Sequence, residues 1–189
     1  MKKIIVFNLV SVDGFFAGLN GEIDWHMVDD EFNRFAIEQT STFDTILFGR
    51  VTYKLFENYW PTVATDLSIS KEDREIAHTI NSINKIVFSK TLDKVIWENT
   101  KLSHKIIPEE IIKLKQQPGK DIVIFGSGTI VQSLTNLNLI DEYRLLLNPV
   151  VLGKGKPLFS NMQNKLTLKL LKTKTFKSGN VLLCYKPIK

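Results

Sequence analysis

The chain of 189 residues contains a single cysteine, Cys184, which excludes an internal disulfide and any metal site built on several thiolates. Cys184 lies in the apolar run Val181–Tyr185 and reads as a core thiol. The three histidines, His26, His78 and His104, are scattered without metal-ligand spacing, so no metal is expected. No apolar run approaches the roughly 20 residues that span a bilayer. The opening Met1–Phe7 stretch is cut by Asn8 and then Asp13, and no small-residue cleavage pattern follows. It reads as the buried first strand of a cytoplasmic protein without a membrane partner. Repeats, low-complexity tracts and Gly/Ser linkers are absent, so residues 1–189 read as one domain.

What is present is ordinary globular composition, with 43% apolar and 24% charged residues. The formal charge of +5 suits nucleic acid, anionic lipid or phosphorylated small molecules. The lysines are spread along the chain, and the lysine-rich tail from Lys165 alternates polar with apolar residues, as a solvated strand face does. A small-molecule partner is therefore expected, and nucleic acid is not.

Hydrophobic patterning alternates strands and helices. Lys3–Val10 is a near-continuous apolar run, as in a strand buried on both faces. Ser11–Asp29 reads as a long ordered loop, and loops of that length in compact domains are usually functional. Helices are expected over Asp30–Gln39, over Thr52–Tyr59 (ending before Pro61), from Ser70 to Asn81, and over Pro108–Gln116. A further helix after Gly128 carries Ile130, Val131, Leu134 and Leu137 on one face. Strands are expected at Thr45–Phe48, Lys85–Ser89, Val95–Glu98 and Asp121–Phe125, then at Glu142–Val151, Leu166–Phe176 and Val181–Tyr185, with turns at Gly153–Pro157 and Ser178–Asn180. Early βα alternation followed by consecutive strands implies an α/β fold, its central sheet mostly parallel with antiparallel C-terminal strands.

Two strand-to-helix junctions point to a ligand. In Phe48-Gly49-Arg50-Val51-Thr52 a glycine ends the strand, and the next helix start offers free N–H groups and a positive dipole. Arg50 adds a fork suited to phosphate. In Phe125-Gly126-Ser127-Gly128-Thr129 small residues let a pyrophosphate approach the amides. A glycine at one such junction is commonly a tight turn. Two on one parallel sheet place two anion sites along its carboxyl edge, where open α/β sheets bind ligands. Ser89 and Lys90, after a third strand, offer a hydroxyl and an ammonium that with Arg50 suit the extra phosphate of NADP; Lys90 reads equally as an exposed turn lysine. The pattern is not the G-x-G-x-x-G fingerprint.

These segments resemble a known superfamily. Gly49-Arg50-x-Thr52-Tyr53 is similar to a segment of dihydrofolate reductases, with Gly126-Ser127-Gly128 at that family's glycine pair and Phe88-Ser89 at its next cofactor strand. Ser11-Val12-Asp13-Gly14-Phe15-Phe16-Ala17, Gly21–Trp25, Asn148–Gly153 and Gly155–Phe159 more closely resemble the reductase domain of riboflavin biosynthesis and its small stand-alone relatives. The resemblance implies a three-layer dihydrofolate-reductase-like fold, an NADPH cofactor, a homodimer, and reduction of a small polar heterocycle of pterin, pyrimidine or flavin-precursor type. It places the adenosine 2′-phosphate and pyrophosphate at Arg50 and Thr52 beside Gly49, borders that phosphate with Ser89 and Lys90, cradles the pyrophosphate with Gly126 to Thr129, and sets Ala17 against the nicotinamide. Two departures stand out. Ser127 replaces the second glycine of the pair, and Asn33 falls near the position of the helix carboxylate that grips the pterin ring, with Asp30 and Glu31 close by. Asn33 cannot make an ionic contact, so dihydrofolate is not the expected substrate. The zinc deaminase half of the bifunctional riboflavin enzyme needs more cysteines than this chain has.

Hydride transfer asks the protein to align two rings and supply a proton. Asp13 and Asp24 are the acids of the long loop and the candidate catalytic groups, although Asp13-Gly14 is also a turn signal and Asp24 a candidate cap before Trp25. Ser11, Trp25 and Asn33 are the substrate-side candidates; Trp25 reads first as a core plug and second as a stacking face. A nucleotide-binding protein without turnover is the alternative reading.

Overall fold

The computed structural model describes residues 1–188. Its centre is β1 (Ile4–Ser11), whose apolar residues alternate between two cores. Ile5 and Phe7 join one core; Ile4, Val6 and Val10 join the other, and no residue among Ile4–Val6 is exposed at all. A strand covered on both faces needs this unbroken run, which is why it is legible.

Around it lie β2 (Phe15–Ala17), α1 (Asp30–Thr40), β3 (Phe43–Gly49), α2 (Arg50–Val63), α3 (Lys71–Ser82), β4 (Asn84–Phe88) and β5 (Thr100–Ser103). The chain continues through α4 (Pro108–Gln116), β6 (Asp121–Phe125), α5 (Gly128–Asn136), β7 (Glu142–Asn148), β8 (Lys156–Pro157), β9 (Leu168–Thr175) and β10 (Val181–Pro187). Eight strands form one sheet in the order β5-β4-β3-β6-β1-β7-β10-β9. The first six are parallel, and β10 and β9 are antiparallel. Residues of α1, α2 and α3 pack with one core, and those of α4 and α5 with the other. The sheet therefore lies between two helical layers, and the fold class read from the sequence is the one observed.

Four local departures from these expectations occur. The strand expected at Val95–Glu98 is irregular, and the strand falls instead at Thr100–Ser103. The amides of Ile96 and Trp97 donate to the buried Tyr53 hydroxyl at 3.3 Å, so a side chain takes the bonds a neighbouring strand would supply. Trp97 then packs in the core, with the Lys85 ammonium 4.3 Å from its ring centroid. The second helix runs through Pro61 to Val63. Burial of Val63 and the half-buried Trp60 outweighs the single helical bond that Pro61 removes. The long loop contains β2, which pairs with β8 where a simple turn was expected. Leu137 lies past the end of α5 and is exposed, so it does not extend that helix's apolar face.

Lys85 shows how the charged residues are accommodated. Its ammonium donates to the carbonyls of Asn81 and Ile83 at 2.8 and 2.7 Å, terminating α3, which has no basic residue in its last turn. No helix of the described residues is long and apolar enough to cross a membrane.

Candidate functional site

A cleft of about 1160 Å³ opens along the carboxyl ends of the parallel strands. The strand order puts β4, β3, β6 and β1 side by side, so the residues after each strand form a row. Lys90 follows β4, Arg50 follows β3, Gly126–Thr129 follow β6, and Asn8 lies on β1; all line the cleft.

The two junctions differ from the other helix starts. Helices α1 and α3 begin with side-chain caps, Asp29 accepting from the Phe32 amide and Ser70 from the Asp73 amide. Helices α2 and α5 have neither a side-chain cap nor an acidic residue in the first turn. Their first amides and dipoles are thus left uncompensated where they face the cleft. Among the described residues Arg50 and Lys90 are both exposed, and neither forms a salt bridge.

The β6–α5 turn depends on two left-handed residues in succession, Gly126 at φ 56° and Ser127 at φ 54°. A Cβ on Gly126 would lie 3.0 Å from Thr52 Oγ1, and one on Gly128 would lie 2.8 Å from the Phe16 ring. Ser127 tolerates the strain because its polar groups tie the junctions together. Its hydroxyl accepts from the Gly49 amide at 2.8 Å, and its amide donates to Thr52 Oγ1 at 3.0 Å. The serine in place of the second glycine is therefore a cross-link that faces β3. Asn8 fixes the same turn from β1, its Oδ1 accepting from the Gly126 amide at 2.8 Å.

Of the residues singled out in the sequence, Ala17, Asn33, Gly49, Arg50, Thr52, Ser89, Lys90, Gly126, Ser127, Gly128 and Thr129 all line this one cleft. Ser89 is buried, and its hydroxyl accepts from the amides of Thr91 and Leu92, so it shapes the turn that presents Lys90. From α1, Asn33 lines the cleft together with Phe32, Ala36, Gln39 and Thr40. Asp30 does not line it, and Glu31 turns to the Lys177 amide at 3.0 Å.

Four expectations are corrected. Asp13 lies outside the cleft and accepts from the amides of Gly153 and Leu152 at 2.7 and 3.2 Å. The Ser11 hydroxyl and those amides hold its carboxyl below the usual range, the reverse of what a proton donor needs. Ser11 is wholly buried, accepting from the Phe15 amide at 3.0 Å, and shapes the loop without touching the cleft. Asp24 is exposed and does not line the cleft, although its neighbours Ile23 and His26 do. Trp25 donates from Nε1 to the Glu22 carbonyl at 3.1 Å and sets its ring edge-on to His26, with centroids 4.4 Å apart, so it buttresses the loop.

His26 does line the cleft, a role that histidine spacing alone does not reveal. Its Nε2 is buried without a partner among the described residues, and burial pushes its pKa down to about 4, with Asp24 only partly opposing this. The ring is neutral at physiological pH. Asn8 is a second such residue, and its sequence signal is a polar side chain within an apolar strand. Aromatic side chains complete the inner wall. Phe7, Phe125, Phe56, Trp60 and Tyr59 form a chain of rings whose successive centroids are 5.0–6.0 Å apart. They come from β1, β6 and α2, so only the fold assembles them.

Residues 2–182 match the sequence model of the RibD C-terminal domain. The uncharacterized protein YyaP of Bacillus subtilis (strain 168) is 38% identical over 184 residues, spanning 97% of this chain and 94% of that protein. Among solved structures, a diaminohydroxyphosphoribosylaminopyrimidine deaminase/5-amino-6-(5-phosphoribosylamino)uracil reductase from Thermotoga maritima superposes with a TM-score of 0.67. It is 15% identical, covering 99% of this chain and 57% of that one. A dihydrofolate reductase from Enterococcus faecalis, complexed with NADP(H), gives a TM-score of 0.63 at 14% identity, covering 99% of this chain and 97% of the other. At these identities the structural likeness concerns the fold.

Proposed function

Since this chain belongs to the RibD C-terminal domain family, we propose that it is an NADPH-dependent reductase of a small polar heterocycle of pterin, pyrimidine or flavin-precursor type. One observation carries the reading: two uncapped helix starts, α2 and α5, open side by side on one cleft with Arg50 and Lys90 at its rim.

The residues fit a phosphorylated dinucleotide. The free amides at the start of α2 and of α5 would take the pyrophosphate. Arg50, with Lys90 beyond it on the next strand end, would take the 2′-phosphate by charge-assisted hydrogen bonds. When bound, the nicotinamide supplies the hydride. Ala17, buried at the start of the loop, would pack on that ring. The aromatic wall would hold the acceptor flat. Asn33 would offer both a donor and an acceptor to a neutral ring edge.

Calorimetric titration with NADPH and NADH tests the reading. Tighter binding of NADPH is expected, and Arg50→Ala should weaken it by about 10- to 100-fold while changing NADH binding far less. Failure of both nucleotides to bind would remove the reductase reading. A nucleotide-binding protein without turnover is the second reading, favoured by Asn33 where a carboxylate would support ring protonation. Tight NADPH binding with no oxidation across a panel of heterocycles would select it.

A further inference from the structure

The cleft is electrostatically lopsided. Its lining contains three cations, Arg50, Lys90 and Lys156. Arg50 and Lys90 belong to the junction end. Lys156 lies on β8, beside the β2 strand that ends at Ala17. The opposite end, between α1, α2 and α3, contributes Asn33, Leu55, Tyr59, Trp60 and Asp73 to the lining and no cation. Asp73 is the only carboxylate among the described lining residues, and it accepts a 2.7 Å hydrogen bond from the Ser70 hydroxyl. His26, held neutral by burial, adds no positive charge.

A phosphate brought to this end would lose hydration against aromatic rings, gain no counter-charge and approach Asp73. A protonated ring would find no carboxylate at the Asn33 position. An uncharged ring loses little on desolvation and stacks on the exposed face of the Phe56–Trp60–Tyr59 wall. We infer that the acceptor taken at this end is an unphosphorylated planar nitrogen heterocycle, an inference that rests on reading the cleft as a reductase site. The reaction adds two electrons and two hydrogens across a C=N bond, the hydride from NADPH, which leaves as NADP⁺, and the proton from solvent.

The test uses matched pairs differing only in a phosphate monoester: 6-hydroxymethylpterin and its phosphate, and riboflavin and flavin mononucleotide. Each is titrated calorimetrically into protein saturated with NADP⁺. In at least one pair the free compound should bind about tenfold tighter or more than its ester. Asp73→Asn, which keeps a side chain able to bond Ser70, should raise ester affinity about threefold, and Leu55→Lys should raise it further by adding the missing cation. Esters that bind as tightly as the free compounds would overturn the inference, and loss of that binding in Lys156→Met would put the phosphate at β8 instead. Binding of neither member of any pair would overturn it as well. NADP⁺ that fails to bind at all would bring down the reductase reading, whereas NADP⁺ binding with ester preference would bring down this inference alone.

Discussion

Helices α1, α3 and α4 differ from α2 and α5 in how they begin. The first three each carry two acids in the first turn, Asp30 and Glu31, Glu72 and Asp73, and Glu109 and Glu110, which complement the helix dipole. Two of them add a side-chain cap. In α2 and α5 both devices are absent, and these are the two helices that start at adjacent strand ends above the cleft. Stability alone would favour capping all five. The omission falls where Arg50 and Lys90 also line the cleft, and the β6–α5 turn adds two left-handed residues to the same region.

The sharpest way to break the contrast is to give α5 what the others have. Thr129→Asp should stabilise the free protein by about 0.5 kcal/mol while weakening NADPH binding by about 100-fold, because the new carboxylate occupies the anion's place. Thermal melts with and without nucleotide read both effects. If affinity survives, the α5 start is not the anion site.

An effect of similar size concerns a polar atom buried without compensation, His26 Nε2. Its pKa in the folded chain is about 4, below the unfolded value near 6.5, so the unfolded chain takes up the proton first as pH falls. The His26 contribution should therefore fall from pH 6.5 towards 4, by roughly 3 kcal/mol in all, and level off below that, where depressed carboxylates such as Asp13 and Asp44 add a further acid loss. Urea midpoints across this range should show the acid limb, and His26→Gln should flatten it.

Gly126→Ala tests the strained junction. With φ at 56° and Thr52 Oγ1 at 3.0 Å from the added Cβ, it should destabilise the fold by about 2 kcal/mol. NADPH binding should weaken with it, because the turn also places the α5 amides. The smallest effect belongs to a capped helix: Asp29→Ala should cost about 1 kcal/mol of stability and leave nucleotide affinity unchanged. A large change in NADPH affinity there would erase the distinction between the two classes of helix.

Much of the architecture was legible because it depends on local rules. The unbroken apolar strands β1 and β6 announced burial on both faces, and Gly49-Arg50 and Gly126-Ser127-Gly128 announced two strand-to-helix turns. The eleven lining positions named from those motifs and from Asn33 meet in one cleft. Asp13 misled because its partners, the amides of Leu152 and Gly153, lie about 140 residues away in sequence; within its own segment it looked free to act. Val95–Glu98 misled because its apolar pattern suits a strand, while the Tyr53 hydroxyl that claims its amides comes from α2.

By itself, then, the sequence determined the alternation of strands and helices, the parallel sheet and the junction glycines, since periodicity and backbone conformational preference act within a few residues. Only the tertiary structure decided which helix starts stay uncapped toward a common cleft, that Ser127 bonds across to Gly49, that five rings from β1, β6 and α2 form one wall, and that the described lining between α1, α2 and α3 contains no lysine or arginine. Those are properties of side chains brought together across the sheet. Their energies depend on distance and burial in three dimensions, and neither is encoded in spacing along the chain.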